Sequence, residues 1–382
     1  MWVSKLSVDA NGAWSAEPPA EAQAPSLVLL FGPTDLLRAS PAPAQLARQF
    51  PAAIQLGCST GTALDGLTLN DDALSATAIG FANTPLRLAT AELAGAADSH
   101  AAGRAIGEQL AADDLAAVFI LSDGLGVNGS ALVGGIAQAC GDRVVISGGL
   151  AGDGARFADT LVTVGGASAS GTVAAVGFYG SSIRVGHGSA GGWDEFGPVR
   201  QITRSNGNVL SELEGKPALE LYEKYLGEEA ADLPASALFY PLKIWNPDRP
   251  EDAVVRTVLA INRDDRTMTF AGDIPEGWSA RLMRGSFDRL TEGAGEAARH
   301  ARDSLASGNV EASLCLLVSC VGRRLLMGQR AEEEIEAVAH VLGSATAIAG
   351  FYSYGEIAPS NATKVPGLHN QTMTLTLLAE AC

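Results

Sequence analysis

The sequence predicts an α/β fold: two related halves with mixed β-sheets, strand–helix–strand units and glycine-rich crossings. Three observations carry this. Short apolar runs suited to buried strands alternate with segments of helical period. The order strand, helix, closing glycine, strand and glycine-rich crossing occurs twice, far apart in the chain. The length of 382 residues and the hydrophobic fraction of 47% are enough for two domains with sizeable cores.

Residues Asn11 to Pro25, rich in Ala, Pro and Glu, read as an extended lead-in, and residues 1–23 are set outside the first domain. Leu27 to Phe31 is a buried strand, Ala44 to Phe50 a helix, and Ala53 to Leu56 a second strand ending at Gly57. Leu74 to Phe81 alternates as a strand, and His100 to Leu110 carries apolar residues at helical spacing. The first copy of the repeated unit follows. It comprises strand Ala117 to Ser122, helix Ser130 to Cys140 closed by Gly141, and strand Val144 to Ser147 running into Gly148–Gly152. Strands Leu161 to Val164 and Val173 to Tyr179 complete the half. The second copy has strand Leu314 to Ser319, helix Glu332 to Leu342 closed by Gly343, and Ala347 to Ala349 leading into Gly350. Ala117–Gly152 and Leu314–Gly355 are therefore expected to be equivalent. The boundary between halves falls between Asn206 and Pro217, giving domains at 24–213 and 214–382.

Composition excludes several function classes. The formal net charge of -17 repels phosphate backbones and anionic bilayers, so neither nucleic acid nor membrane is an expected partner. The five cysteines form no CxxC or CxxCH, which fits a reduced, cytoplasmic setting without covalent haem attachment. Met1 to Gly12 lacks the apolar run of a signal peptide, and Leu27 to Phe31 is too short to cross a bilayer.

Two motifs suggest enzymes. Gly124-Leu125-Gly126-Val127-Asn128-Gly129 fits GxGxxG between a strand and a helix, but the next strand ends in Ser147-Gly148-Gly149 where a ribose-binding acid is wanted, and Asp153 comes late. Gly57-Cys58-Ser59-Thr60-Gly61 matches GxSxG, but turn residues follow instead of the helix that a nucleophile elbow requires. A dinucleotide enzyme, or a hydrolase using Ser59 or Cys320, is the competing class. The leading expectation is a non-enzyme.

Polar groups concentrate near the C-terminus, in Gly350-Phe351-Tyr352-Ser353-Tyr354-Gly355-Glu356-Ile357 and Leu368-His369-Asn370-Gln371-Thr372-Met373-Thr374. Set beside glycines, Tyr352, Tyr354, Glu356 and Asn370 point to a small-molecule pocket. Cys320 precedes Gly322-Arg323-Arg324 and is either inert and buried or a thiol whose pKa a guanidinium lowers. Arg323 and Arg324 either bind an anionic ligand or neutralise Glu332 to Glu336. Of the five histidines, His100, His300 and His340 sit in helical contexts. His187, between glycines that would expose its ring, and His369, whose tautomer Asn370 could fix, are the candidate metal ligands.

Ser319-Cys320-Val321-Gly322-Arg323 and the two C-terminal stretches, extended to Leu375, resemble the FIST C-terminal domain. Ser147 to Gly152, His187-Gly188 and Thr203 to Asn208 resemble the FIST N-terminal domain, with Gly215 to Tyr222 at the junction. The resemblance implies an intracellular sensory module for small ligands such as amino acids. Stand-alone bacterial members include the nitric-oxide-sensing haemoproteins called NosP, which act through histidine kinases or cyclic-di-GMP enzymes. In that version haem b is the cofactor, His187 or His369 ligates its iron, and such an enzyme is the partner. The alternative is an amino-acid-binding module without metal. A homo-oligomer is compatible with either.

Overall fold

The computed structural model describes residues 1–8, 24–305 and 310–381. The fold is α/β with three six-stranded mixed sheets and one eight-stranded antiparallel sheet. The three mixed sheets share one plan. Each is built on a parallel pair, which needs a crossover connection, and helices supply it. Strands Leu27–Gly32 and Ile54–Ser59 are joined through helices Thr34–Ala39 and Ala42–Gln49. Leu115–Ser122 and Val145–Leu150 are joined through helix Gly129–Cys140. Leu314–Cys320 and Ala347–Ser353 are joined through helices Val321–Met327 and Glu332–Leu342. The last two units are the pair expected from the sequence. The first has the same connections and makes a third.

In each unit a returning strand lies antiparallel to the first member of the pair: Leu74–Gly80, Thr172–Tyr179 and Met373–Glu380. An outer strand then covers it: Trp2–Val8, Leu86–Glu92 and Ile183–Ala190. The first of these departs from expectation. Trp2–Val8 falls within the lead-in, yet runs in register from Trp2 opposite Gly80 to Val8 opposite Leu74. Most of the stretch Asn11 to Pro25 lies outside the described residues.

One glycine marks the same place in all three parallel pairs. Gly57 faces Leu30, Gly148 faces Ile120 and Gly350 faces Leu317. A Cβ there would stand 2.0, 1.9 and 1.8 Å from the facing carbonyl oxygen, respectively. No side chain fits, so glycine is required by the close backbone approach.

The fifth and sixth strands of each sheet are borrowed. The first sheet is completed by Val162–Val164 and Ala167–Ala169, which follow the second parallel pair in the chain. The second is completed by Gly355–Pro359 and Pro366–His369, which follow the third. The third is completed by Ala63–Asp65 and Thr68–Asn70, which follow the first. The inner faces of the three sheets share one core, including Phe31, Cys58, Phe119, Leu121, Val162, Val318 and Phe351. Phe31 and Phe351 stack there with ring centroids 4.7 Å apart.

The antiparallel sheet centres on the long strand Trp193–Asn206 and has its own core around Ile202, Tyr222, Ile244 and Phe270. Helix Phe287–Leu305 packs on the third mixed sheet, between strands Ile183–Ala190 and Met373–Glu380 and helix Glu332–Leu342. Its buried Ala294, Ala297, Ala298 and Ala301 form the narrow stripe of an amphipathic helix. The stripe is small because the helix lies against backbone: Cβ atoms on Gly186 and Gly188 would meet Ala301 O at 2.5 Å and Ala297 O at 2.2 Å.

Candidate functional site

The strand ends of the third unit gather the polar residues expected from the sequence. Glu356 sits in a borrowed strand opposite Gly149, the residue after a core glycine. The corresponding residues of the other borrowed strands, Val162 opposite Cys58 and Ala63 opposite Phe351, are apolar. Glu356 thus places a carboxyl group where the other two sheets have hydrocarbon. It has no exposed surface. Its Oε1 accepts from Ser353 Oγ at 2.8 Å, and its Oε2 accepts from Thr372 N at 3.1 Å and Thr372 Oγ1 at 3.0 Å. Burial outweighs these bonds and pushes its pKa up to about 8.

Arg323 is also fully buried. It forms an ion pair with Glu334 and donates to the carbonyl oxygens of Gly191, Gln371 and Leu290. Of its two sequence readings, neutralising the glutamates is the one this geometry realises. Cys320 lies beside these groups, and of its two sequence readings the inert, buried thiol is the one the structure supports, not the lowered pKa. Burial and the neighbouring Glu356 drive the pKa up and outweigh the opposing pull of Arg323. The thiol is neutral and buried.

Arg324, the next residue, turns to the surface and meets the N-terminal half. Its Nη2 lies 3.0 Å from Asp71 Oδ2, and its Nε donates to Thr62 Oγ1 at 3.2 Å. Thr62 Oγ1 in turn donates to Asp71 Oδ1 at 2.5 Å. These groups rim a cleft of about 290 Å³, whose walls include Gly61, Gly154 and Tyr352. All three units contribute to it. Tyr352 is buried, and among the described residues its hydroxyl has no hydrogen-bond partner. The cleft therefore offers a guanidinium and a carboxylate, with the buried, unpartnered Tyr352 hydroxyl belonging to one of its wall residues. Asp71 and Thr62 were missed in the sequence, where Asn70-Asp71-Asp72 carries only the signal of a turn.

Tyr354 points elsewhere. Its ring stacks on Phe157 at 4.5 Å, and its hydroxyl donates to Asp153. The buried Asp153 carboxylate also accepts the amides of Phe157, Ala158 and Asp159 at 2.9, 3.0 and 2.9 Å. Asp153 is thus the anchor of a loop. Asn370 is buried, and among the described residues neither atom of its amide has a partner. It does not fix His369, whose Nε2 donates to Ala358 O at 3.1 Å.

The two histidines are neutral. Burial is the main cause in both, and each pKa falls to about 4. The glycines beside His187 do not expose it. They admit the helix, and the imidazole lies buried on the opposite face of a regular strand. His369 lines a separate cleft of about 420 Å³ with Arg249, Glu251 and Asp252 and with the apolar Val254, Val255 and Val365. An apolar cleft lies between Leu125, Phe157, Leu259 and Leu325, and neither histidine lines it. His187 lines neither cleft, and the Nε2 of His369 is already held by Ala358 O.

The enzyme motifs are also accounted for. Leu125 N and Gly126 N, amides that a phosphate would use, donate to Asp123 Oδ1 at 2.8 and 3.0 Å. Ser59 Oγ is buried and accepts from Leu161 N at 2.9 Å, and its strand leads into Ala63–Asp65 instead of a helix.

Two family models match the chain: the FIST N domain over residues 26–216 and the FIST C domain over residues 218–359. No curated protein is detectably similar. The crystal structure of cyanuric acid hydrolase from A. caulinodans is similar at 12% identity, covering 78% of this chain and 99% of that one, with a TM-score of 0.19. So loose a superposition carries no argument.

Proposed function

Because the chain belongs to the FIST family, whose domains are sensory modules that bind small ligands, we propose that it senses a zwitterionic ligand of amino-acid type in the cleft between Arg324, Asp71 and Tyr352. The observation that carries this is the Arg324–Asp71 pair, which joins the two halves across 3.0 Å beside an unpartnered buried hydroxyl. The pair is partly solvated, with side chains 23% and 52% exposed. Such a pair is worth about 0–1 kcal/mol, so its partners can be exchanged at little cost. A ligand carboxylate would take Arg324 bidentately, and a ligand ammonium would take Asp71. Occupancy would then change how the halves meet, for readout by a separate signalling protein. The family resemblance implies a histidine kinase or cyclic-di-GMP enzyme for that role.

The test is calorimetric titration of the full chain with each common amino acid, beside an absorption spectrum with and without haemin. Saturable binding lost in Arg324→Gln and in Asp71→Asn supports the reading. A Soret band from haemin held in a defined complex, with no amino acid bound, would replace it with the haem and nitric-oxide version.

A further inference from the structure

We infer that the ligand is amphiphilic, with its charged head at Arg324 and Asp71 and an unbranched apolar tail running past Leu325 into the cleft beside Phe157. The head group rests on the reading above; the tail rests on separate observations. The apolar cleft has a volume of about 530 Å³, within the range of small-molecule sites. Leu125, Phe157, Leu259 and Leu325 all line it, and all four are large side chains left exposed. They come from four separate stretches of chain. Their convergence is a patch, unlike the scattered apolar residues that any surface carries.

The two clefts adjoin on two sides. Leu325 lines both. Gly154 lines the polar cleft, and its neighbour Ala155 lines the apolar one. A molecule seated on Arg324 thus has hydrocarbon beginning at the next residue.

The apolar walls are held in place by buried carboxylates. Asp123 accepts the amide of Leu125, and Asp153 accepts that of Phe157. Phe157 has φ of 49°, a left-handed conformation that is costly for an aromatic residue. The Asp153 bonds and the Tyr354 stack hold it there with its ring half open to solvent. A loop tied this firmly around an exposed ring is preorganised for an apolar contact.

The test is titration of the full chain with linear α-amino acids of increasing side-chain length, from alanine to 2-aminodecanoic acid. Affinity should rise about fourfold per methylene until the cleft is full. Leu259→Asn should flatten this rise, and Arg324→Gln should weaken every member of the series. Leu259 is exposed, so the variant is expected to fold, and its melting curve checks that. Alanine binding with no dependence on length overturns the tail inference and leaves the sensor reading intact. Failure of every member to bind overturns both. A flat series in which Leu259→Asn also dissociates a dimer assigns the patch to subunit contact and overturns the inference.

Discussion

Arg323 and Glu334 form an ion pair in which neither side chain has any exposed surface. It ties helix Val321–Met327 to helix Glu332–Leu342, while the backbone acceptors Gly191 and Leu290 bring in the turn after strand Ile183–Ala190 and the start of helix Phe287–Leu305. Removing one partner leaves the other charge buried and unpaired. Arg323→Ala and Glu334→Ala should each lower unfolding free energy by about 3–5 kcal/mol. Arg323→Met with Glu334→Leu should lose less than either single change. Urea denaturation of the three variants measures this. Additive losses would show that the pair does not act as a unit.

Glu356 makes stability depend on pH. The folded chain keeps a proton on this carboxyl up to about 8, while the unfolded chain releases it near the ordinary value of 4.5. Across that window the folded state binds more protons, so its stability falls as pH rises. The contribution is complete below 4.5 and is lost as pH passes the folded value of about 8. Glu356→Gln should flatten the decline between about pH 5 and pH 9, as read from denaturation midpoints. Equal slopes in parent and variant would show that Glu356 titrates normally.

His369 has the opposite sign. Its folded pKa of about 4 lies below the ordinary 6.5, so the unfolded state binds more protons between them. Stability from this residue is present above 6.5 and is lost as pH falls toward about 4. His369→Ala should lose about 0.5–1.5 kcal/mol through the bond to Ala358. The absorption spectrum of the haemin-treated variant should match the parent's, as should that of His187→Ala. A displaced Soret band in either variant would identify an iron ligand.

Tyr354→Phe removes a hydroxyl that both steadies Asp153 and accepts from Phe157 N at 3.2 Å. Amide exchange at Phe157, Ala158 and Asp159 should speed up, with amides in the sheet cores unchanged. Uniform acceleration across the chain would indicate global destabilisation instead.

Gly57→Ala, Gly148→Ala and Gly350→Ala all meet the same obstacle, a backbone carbonyl that cannot withdraw without breaking the parallel pair. Thermal melts of the three variants should show severe and similar losses of stability. A tolerated substitution at one site would mean that its pair can spread.

Much of the fold was legible because buried strands and helix-closing glycines leave local signals. The strand at Leu314, the helix at Glu332 and the crossing at Gly350 follow from period and punctuation. The first unit lacks the helix-closing glycine that Gly141 and Gly343 supply to the other two, its helix ending at Phe50 instead. Pairings across the chain leave no local trace. Arg324 and Asp71 are 253 residues apart, and Asp71 reads as part of a turn. The C-terminal polar stretch pointed to one pocket lined by Tyr352, Tyr354, Glu356 and Asn370, whereas only Tyr352 lines the cleft at Arg324, and Glu356 and Asn370 are buried away from it. It could not show that Tyr354 serves the Asp153 loop, because that partner lies 201 residues away. For His187, the flanking glycines suggested an exposed ring. Their actual cause, a helix pressed against the strand, is a long-range contact invisible in sequence.

The borrowed strands close a ring of obligations. A cut at the junction of the FIST N and FIST C matches would strip the second sheet of Gly355–Pro359 and Pro366–His369. It would strip the third of Ile183–Ala190, Ala63–Asp65 and Thr68–Asn70. Each fragment would carry raw strand edges, which recruit other chains. Each named domain therefore supplies strands that the other's sheets need, and neither is expected to fold well alone. A molecule that shifts one link has all three sheets as its lever.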